Sequence, residues 1–148
     1  MLEIKVIKTN EELEKIVGRE NFINFLHTHL DRFRDPKDQI EMSIDYAFSP
    51  SDGKGGFLLA AYYDGNLVGT LVMNSTGMDG YIPANILVYI AVDASYRGKG
   101  IGKQIIEKSF EIAEGSVKLH VEYDNPAKRL YERLGFTTKY AEMRYDNK

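Results

Sequence analysis

Residues 86–103 read ILVYIAVDASYRGKGIGK, and this stretch decides the fold. Asn85 to Val92 is an almost continuous apolar run, the pattern of a strand covered on both faces, which places it at the centre of a sheet. The run leaves through Gly98-x-Gly100-x-Gly102 into a helical spacing of apolar residues, Ile101, Ile105, Ile106, Phe110 and Ala113. Glycines let backbone N–H groups converge on one point, and the helix amino terminus adds positive potential, so the turn suits an anion. Two phosphate-binding spacings fail against the letters. A Walker loop needs glycine five residues before Gly102-Lys103, where Arg97 stands, and Ser or Thr where Gln104 stands. The dinucleotide fingerprint needs its last glycine one residue beyond Gly102.

Downstream of this core, Gly115 ends the helix and Val117 to Glu122 reads as the next strand. Asn125-Pro126 opens a short helix that Gly135 closes, and Phe136 to Tyr145 is expected to form a last strand. Upstream, Phe57 to Tyr63 and Leu67 to Asn74 flank Asp64-Gly65, a dipeptide that tolerates the positive φ of a tight hairpin. Ser49 to Gly56 and Ser75 to Pro83 are loops. Ile40, Ile44, Ala47 and Phe48 give a helix for which Asp35 supplies the cap and Pro36 the first position. Phe22, Leu26, Leu30 and Phe33 mark the apolar face of another. Thr9-x-x-Glu12 is a capping box for a helix that runs to Val17 and stops at Gly18, preceded by a short strand from Glu3 to Ile7. Helices alternating with strands, and a helical crossover between two core strands, specify an α/β layered sheet. The 148 residues suit one domain, with no repeat or linker inside it.

The composition narrows the chemistry. A hydrophobic fraction of 43% with 28% charged residues is globular. No apolar run approaches the roughly 20 residues of a membrane span, and the amino terminus lacks the basic, apolar signature of a signal peptide, so the expected compartment is the cytoplasm. With no cysteine, thiol catalysis, thiolate metal sites and disulfides are excluded. A formal charge of −3 argues against nucleic acid as a partner. Residues 1–50 hold 7 basic and 10 acidic side chains, and the rest of the chain is balanced at 12 of each. The whole net charge belongs to the first third.

Arg97-x-x-Gly100-x-Gly102 resembles the acetyl-CoA pyrophosphate loop of the GCN5-related N-acetyltransferase (GNAT) superfamily, and Tyr96-Arg-Gly-Lys-Gly-Ile-Gly102 is close to that family's commonest wording. Ala127-x-x-Leu130-Tyr131-x-x-x-Gly135-Phe136 is similar to its second signature, in family order and at suitable spacing. The resemblance covers roughly Leu67 to Tyr145. It implies an α/β (α+β) fold with a mixed, mostly antiparallel sheet, helices on both faces, and central strands four and five splayed apart around the pantetheine arm. It implies acetyl-CoA as cosubstrate and no metal. Backbone contacts to the cofactor are expected from Ile90, Ala91 and Val92, and pyrophosphate contacts from Arg97, Gly98, Lys99, Gly100, Ile101, Gly102 and Lys103. Arg97, Lys99, Lys103, Lys128 and Arg129 cluster around the two signatures, and Lys128 joins the expected cofactor-binding set. Tyr131 matches the tyrosine that donates a proton or hydrogen bond to the departing thiolate. A phenol near pKa 10 is a weaker acid than a thiol near 8.5, which favours a hydrogen bond over complete transfer. Counted back from Tyr131, the family's asparagine position falls on Asp124; counted along the strand it falls on Asn125, the preferred assignment.

The expected acceptor is a primary amine on a small molecule or a polypeptide. A lysine-like ammonium near pKa 10.4 costs roughly 4.6 kcal/mol to deprotonate at pH 7, so the site needs a proton acceptor, direct or through water. His120 falls where ribosomal-protein N-terminal acetyltransferases carry a catalytic glutamate, and Glu122, two residues on, shares its face of an extended strand. Glu41 and Asp45, one helical turn apart in the acidic third, are candidates to attract a cationic acceptor. Tyr46, Tyr62, Tyr63 and Tyr81 are candidate cleft residues. Two other readings stand beside this one: a non-catalytic acyl-CoA-binding regulatory module, which would not need Tyr131, and a homodimeric structural protein. Dimers are common in the family.

Overall fold

Asp64 and Gly65 adopt φ of 49° and 83°, the left-handed pair that a two-residue hairpin turn needs, and join strands β2 (Gly56–Tyr63) and β3 (Asn66–Ser75). The structure, a computed structural model, describes residues 1–147. Around the hairpin the order is β1 (Leu2–Ile7), β2, β3, β4 (Asn85–Val92), β5 (Val117–Leu119). The first four strands run antiparallel to their neighbours, and β5 lies parallel to β4. A parallel pair needs a crossover, here the helix α4 (Ile101–Ile112).

Alternation along the strands divides the core in two. Leu58, Ala60, Val72 and Ala91 face α1 (Asn10–Ile16), α2 (Arg19–His29) and α3 (Lys37–Ala47), whose Leu13, Phe22, Leu26, Ile40 and Ile44 are fully buried. Leu59, Ala61, Leu71 and Met73 face α4 and the short α5 (Ala127–Arg133), against Ile105, Ile106 and Tyr131. Helices therefore cover both faces, as the resemblance implies. Each fully buried Leu or Ile contributes roughly 1.5–3 kcal/mol, so these two clusters hold the layers.

Four expectations are corrected. The central strand is β3, buried from Val68 to Asn74, whereas β4 is only partly buried because its β5 side is mostly uncovered. The strand after α4 ends at Leu119, so His120 to Glu122 lie outside it. Residues 136–145 form no strand; a ladder needs a partner, and the edge strand β5 offers only three residues, leaving Tyr140, Met143 and Tyr145 exposed. Asp35 does not cap α3. Pro36 holds the cap position with no side-chain bond, and the Asp35 carboxylate is taken by Tyr89 on β4. The Thr9 cap holds: its hydroxyl accepts from the Glu12 N–H at 3.1 Å, while Glu12 Oε1 accepts from the Lys8 N–H at 2.8 Å.

Candidate active site

The ladder between β4 and β5 has three rungs, Asn85 to Leu87 with Val117 to Leu119, and then stops. From Val88 onward β4 keeps β3 on one side and nothing on the other, so the two parallel strands splay. Opposite the gap the β3–β4 register shifts: Val72 pairs with Tyr89 and Met73 with Leu87, leaving Val88 as the extra residue of a bulge. The bulge turns the consecutive Val88 and Tyr89 toward the same α1–α3 cluster. An open strand edge carries unpaired N–H and C=O groups that an extended amide chain can satisfy.

At the carboxyl end of β4, Asp93 accepts from the Ser95 N–H at 2.8 Å and starts a 3-10 turn over Ala94–Tyr96. Gly98 and Gly100 follow at φ 82° and 77°, with open space where their side chains would stand, and Gly100 occupies the cap of α4. No acidic residue sits in the first turn of α4, so its free N–H groups keep their positive potential for an anion. A Cβ on Gly102 would lie 3.3 Å from Leu130 Cδ2 and 3.7 Å from Val92 Cγ2. This glycine lets the helix start approach β4 and α5 closely, which brings the turn and the second signature together.

The Arg97 side chain is engaged within the protein. Its Nε donates to Val92 O at 3.1 Å and its Nη2 to His29 O at 2.7 Å, so the guanidinium lashes the turn to the end of α2. His29 continues the lashing: its Nδ1 accepts from the Ala94 N–H at 3.4 Å, and its ring packs 4.5 Å from Phe25. Lys99 Nζ stands 5.2 Å from the Tyr96 ring centroid, Lys103 is exposed, and Lys128 pairs with Glu132 at 3.3 Å.

Tyr131 is 9% exposed. Gly135 and Phe136 close α5 in a Schellman arrangement, with Gly135 N–H to Glu132 O at 3.1 Å and Phe136 N–H to Tyr131 O at 3.0 Å. The accompanying apolar contact is the Phe136 ring edge-on to Tyr131 at 5.9 Å. Among the described residues the Tyr131 hydroxyl has no protein hydrogen-bond partner, yet it is not among the fully buried unpartnered atoms and so reaches solvent, and burial of the residue pushes its phenol up to about 12. It is a neutral donor with no protein acceptor.

Asn125 and Asp124 separate cleanly. Asn125 Oδ1 accepts from the Ala127 N–H at 2.9 Å and caps α5, while Asp124 pairs with Arg32 at 2.9 Å, and that bond holds its carboxyl below the usual range. Both border an open hollow of about 480 Å³ at the start of α5. His120 and Glu122 are exposed beyond the end of β5, so a shared strand face no longer connects them. Glu41 and Asp45 both face Arg19, at 3.5 and 2.8 Å, in the groove among the first three helices. One guanidinium offsets one of the two charges, and both carboxylates stay largely exposed. Tyr46 and Tyr62 donate to backbone carbonyls of Ser75 and Ile16, Tyr63 packs against Tyr96, and Tyr81 is exposed.

Tyr89 and Arg32 carry no expectation from the sequence, and Asp35 only that of a helix cap. Burial, then the hydrogen bond and charge of Asp35, raise the Tyr89 phenol well above its ordinary value. One signal was available: Tyr89 is the lone polar-tipped side chain in the apolar run 86–92.

A sheet split between parallel fourth and fifth strands, a glycine turn capping the crossover helix and a buried tyrosine on the next helix together define a fold class. The sequence profile of the Acetyltransferase (GNAT) family matches residues 19–136, and the chain belongs to that family. Solved structures share the fold at low identity. A ribosomal-protein-alanine N-acetyltransferase from Brucella melitensis biovar Abortus 2308 superposes with a TM-score of 0.66 at 18% identity, covering 99% of both chains. An aminoglycoside acetyltransferase from an uncultured soil metagenomic sample gives 0.65 at 19%, covering 100% of this chain and 99% of that one. A transcriptional regulator from Bacillus halodurans C-125 gives 0.66 at 18%, covering 99% and 100%. Among curated protein sequences none matches significantly. No helix among the described residues is long and apolar enough to cross a membrane.

Proposed function

We propose that the protein transfers an acetyl group from acetyl-CoA to a primary amine by direct attack in a ternary complex. The observation that carries this reading is the three-rung β4–β5 ladder, with the glycine turn at the far end of the gap and Tyr131 on the helix against it. The residues present fit the cofactor: an open β4 edge for the amide-bearing arm, uncapped helix donors for the pyrophosphate, and positive-φ glycines with room around them. Acetyl-CoA supplies the acyl group already activated as a thioester.

The chain's own groups do the remaining work. Ile90, Ala91 and Val92 present backbone along the gap, and the N–H groups from Gly98 to Lys103 hold the anion, with Lys99 and Lys103 adding charge. Arg97 fixes the turn through Val92 O and His29 O. Asn125 sets the start of α5, on which Lys128 stands at the hollow's edge and Tyr131 points its phenol at the departing sulfur. Proton removal from the amine falls to His120 or Glu122, directly or through water. An ammonium that ends as an amide gives up two protons: one leaves before attack and one as the carbon–sulfur bond breaks, both by way of the base or water to solvent, while the thiolate's charge rests against the Tyr131 hydroxyl until CoA takes a proton from solvent.

The experiment is a CoA-release screen over polyamines, aminoglycosides, amino acids and amino-terminal peptides. Amine-dependent release supports the reading. Slow acetyl-CoA hydrolysis that no amine accelerates would instead favour a regulatory acyl-CoA-binding module.

A further inference from the structure

The backbone donors of the turn after β4 divide between Tyr96 and Arg97. The N–H groups of Asp93, Ser95 and Tyr96 are taken by Val68 O, Asp93 Oδ1 and Asp93 O, each at 2.8 Å, and that of Ala94 by His29 Nδ1 at 3.4 Å. From Arg97 to Lys103 no backbone N–H meets a protein acceptor among the described residues, and Gln104, bonded to Gly100 O at 3.2 Å, is the first that does. A run of free donors is what an anion needs, and the engaged ones fix where that run begins. Three of their acceptors lie in the sheet or in the turn itself. The fourth is a side chain of α2, which packs on the face of the sheet away from α4.

We infer that His29 is a positioning residue for acetyl-CoA, holding the glycine turn so that its free donors converge on the pyrophosphate. This rests on the acetyl-CoA reading of the turn and adds to it a residue that acts through Ala94 and Arg97. Both nitrogens of the imidazole are placed. Nδ1 accepts, which assigns the proton to Nε2, and Nε2 stands 3.8 Å from Asp93 Oδ2, a carboxylate that favours this tautomer. The partly buried ring lies 4.5 Å from that of the core residue Phe25, so its direction is set by the packing of α2 rather than by the turn. The His29 carbonyl accepts from Arg97 Nη2 at 2.7 Å. One residue thus holds the first position of the 3-10 segment with its side chain and the position just past the last with its backbone. Loss of the side-chain hold leaves the Arg97 tie in place, so the turn still forms while its free donors are less well aligned. The cost falls on acetyl-CoA affinity.

The test uses the full chain as wild type, His29→Phe and His29→Asn. Phe keeps a ring against Phe25 and removes the acceptor; Asn carries an acceptor at the Nδ1 position. Calorimetry with acetyl-CoA reads affinity, and long-range proton–nitrogen NMR of the free wild type reads which imidazole nitrogen holds the proton. The expected tautomer is Nε2–H. His29→Phe should raise the acetyl-CoA Kd roughly three- to tenfold, the scale of one neutral hydrogen bond, and speed exchange of the Ala94 amide. His29→Asn should stay within about twofold of wild type in both, a rescue that a merely structural role would not produce. If the Phe variant fails to fold, His29→Gln, whose amide reaches only the Nε2 position, takes its place with the same expected loss. A proton on Nδ1 overturns the inference, as does an unchanged Kd in the variant lacking the acceptor or an equal loss in His29→Asn. A wild type that binds no acetyl-CoA refutes the function reading and this inference with it; wild-type binding to which His29 is indifferent overturns this inference alone.

Discussion

Replacing Tyr131 with Phe tests the chemistry and the packing separately. The ring stays against Phe136, and the hydroxyl that is lost has no protein partner among the described residues, so folding loses little. What changes is the donor facing the leaving sulfur. With the phenol at about 12 and a thiol near 8.5, complete proton transfer is uphill by roughly 5 kcal/mol, so the residue acts as a hydrogen-bond donor. A hydrogen bond to a developing charge in a dry site is worth about 1.5–3 kcal/mol, which corresponds to a fall in kcat of roughly 10- to 150-fold. The acetyl-CoA KM should move less than threefold. Stopped-flow or steady-state CoA release, with a viscosity control to establish that chemistry is limiting, reads this directly. A kcat within twofold of wild type under that control would refute the role. The same burial has a stability signature. A phenol raised from 10 to about 12 keeps its full contribution below pH 10, and that contribution is lost as pH climbs toward 12, by roughly 2–3 kcal/mol. Thermal melts of the Phe variant should lack this part of the alkaline decline.

Other residues give sharper, smaller tests. Gly100→Ala forces a Cβ into a left-handed cap and should cost roughly 1–2 kcal/mol in stability while raising the acetyl-CoA KM at least tenfold; a normal KM would remove the turn from the pyrophosphate site. Arg97→Lys cannot reproduce two lashings at 3.1 and 2.7 Å, so differential scanning should show a lower Tm together with a weaker acetyl-CoA affinity. Asn125→Ala, which removes the α5 cap, should cost about 1 kcal/mol and depress kcat through Tyr131, whereas Asp124→Asn should leave kcat unchanged. His120→Ala should lose the acidic limb of the pH–rate profile; retention of that limb assigns the proton to Glu122 or water.

What could be read from the letters was local in sequence. The hairpin at Asp64-Gly65, the Thr9 cap and the 86–103 strand–turn–helix each depend on residues a few positions apart, and each stands in the structure. What could not be read depends on distant neighbours. Asp35 and Tyr89 are 54 residues apart, and without the sheet in view a carboxylate before proline is simply a helix cap. Arg19 reaches Asp45 across 26 residues and also meets Glu41, which offsets part of an apparent acidic patch. The same holds for β4: an unbroken apolar run reads as fully covered, but its cover on one side is the gap, which only pairing with β5 reveals. Residues 136–145 have strand-like composition and lack a partner, and composition carries no information about partners.

The three rungs between β4 and β5 also set how the molecule comes apart. The β1–β4 meander is continuously paired, while β5 and α5 are held by those rungs, the apolar packing of their cluster and the exposed Arg32–Asp124 pair. Amides of β2 and β3 should therefore exchange only on global unfolding, and those of β5 through a cheaper local opening. A ligand that pairs with β4 across the gap and touches α5 would fuse the two cooperative units. Occupancy would then be visible as slowed exchange in β5 and a single melting transition, well away from any atom that reacts.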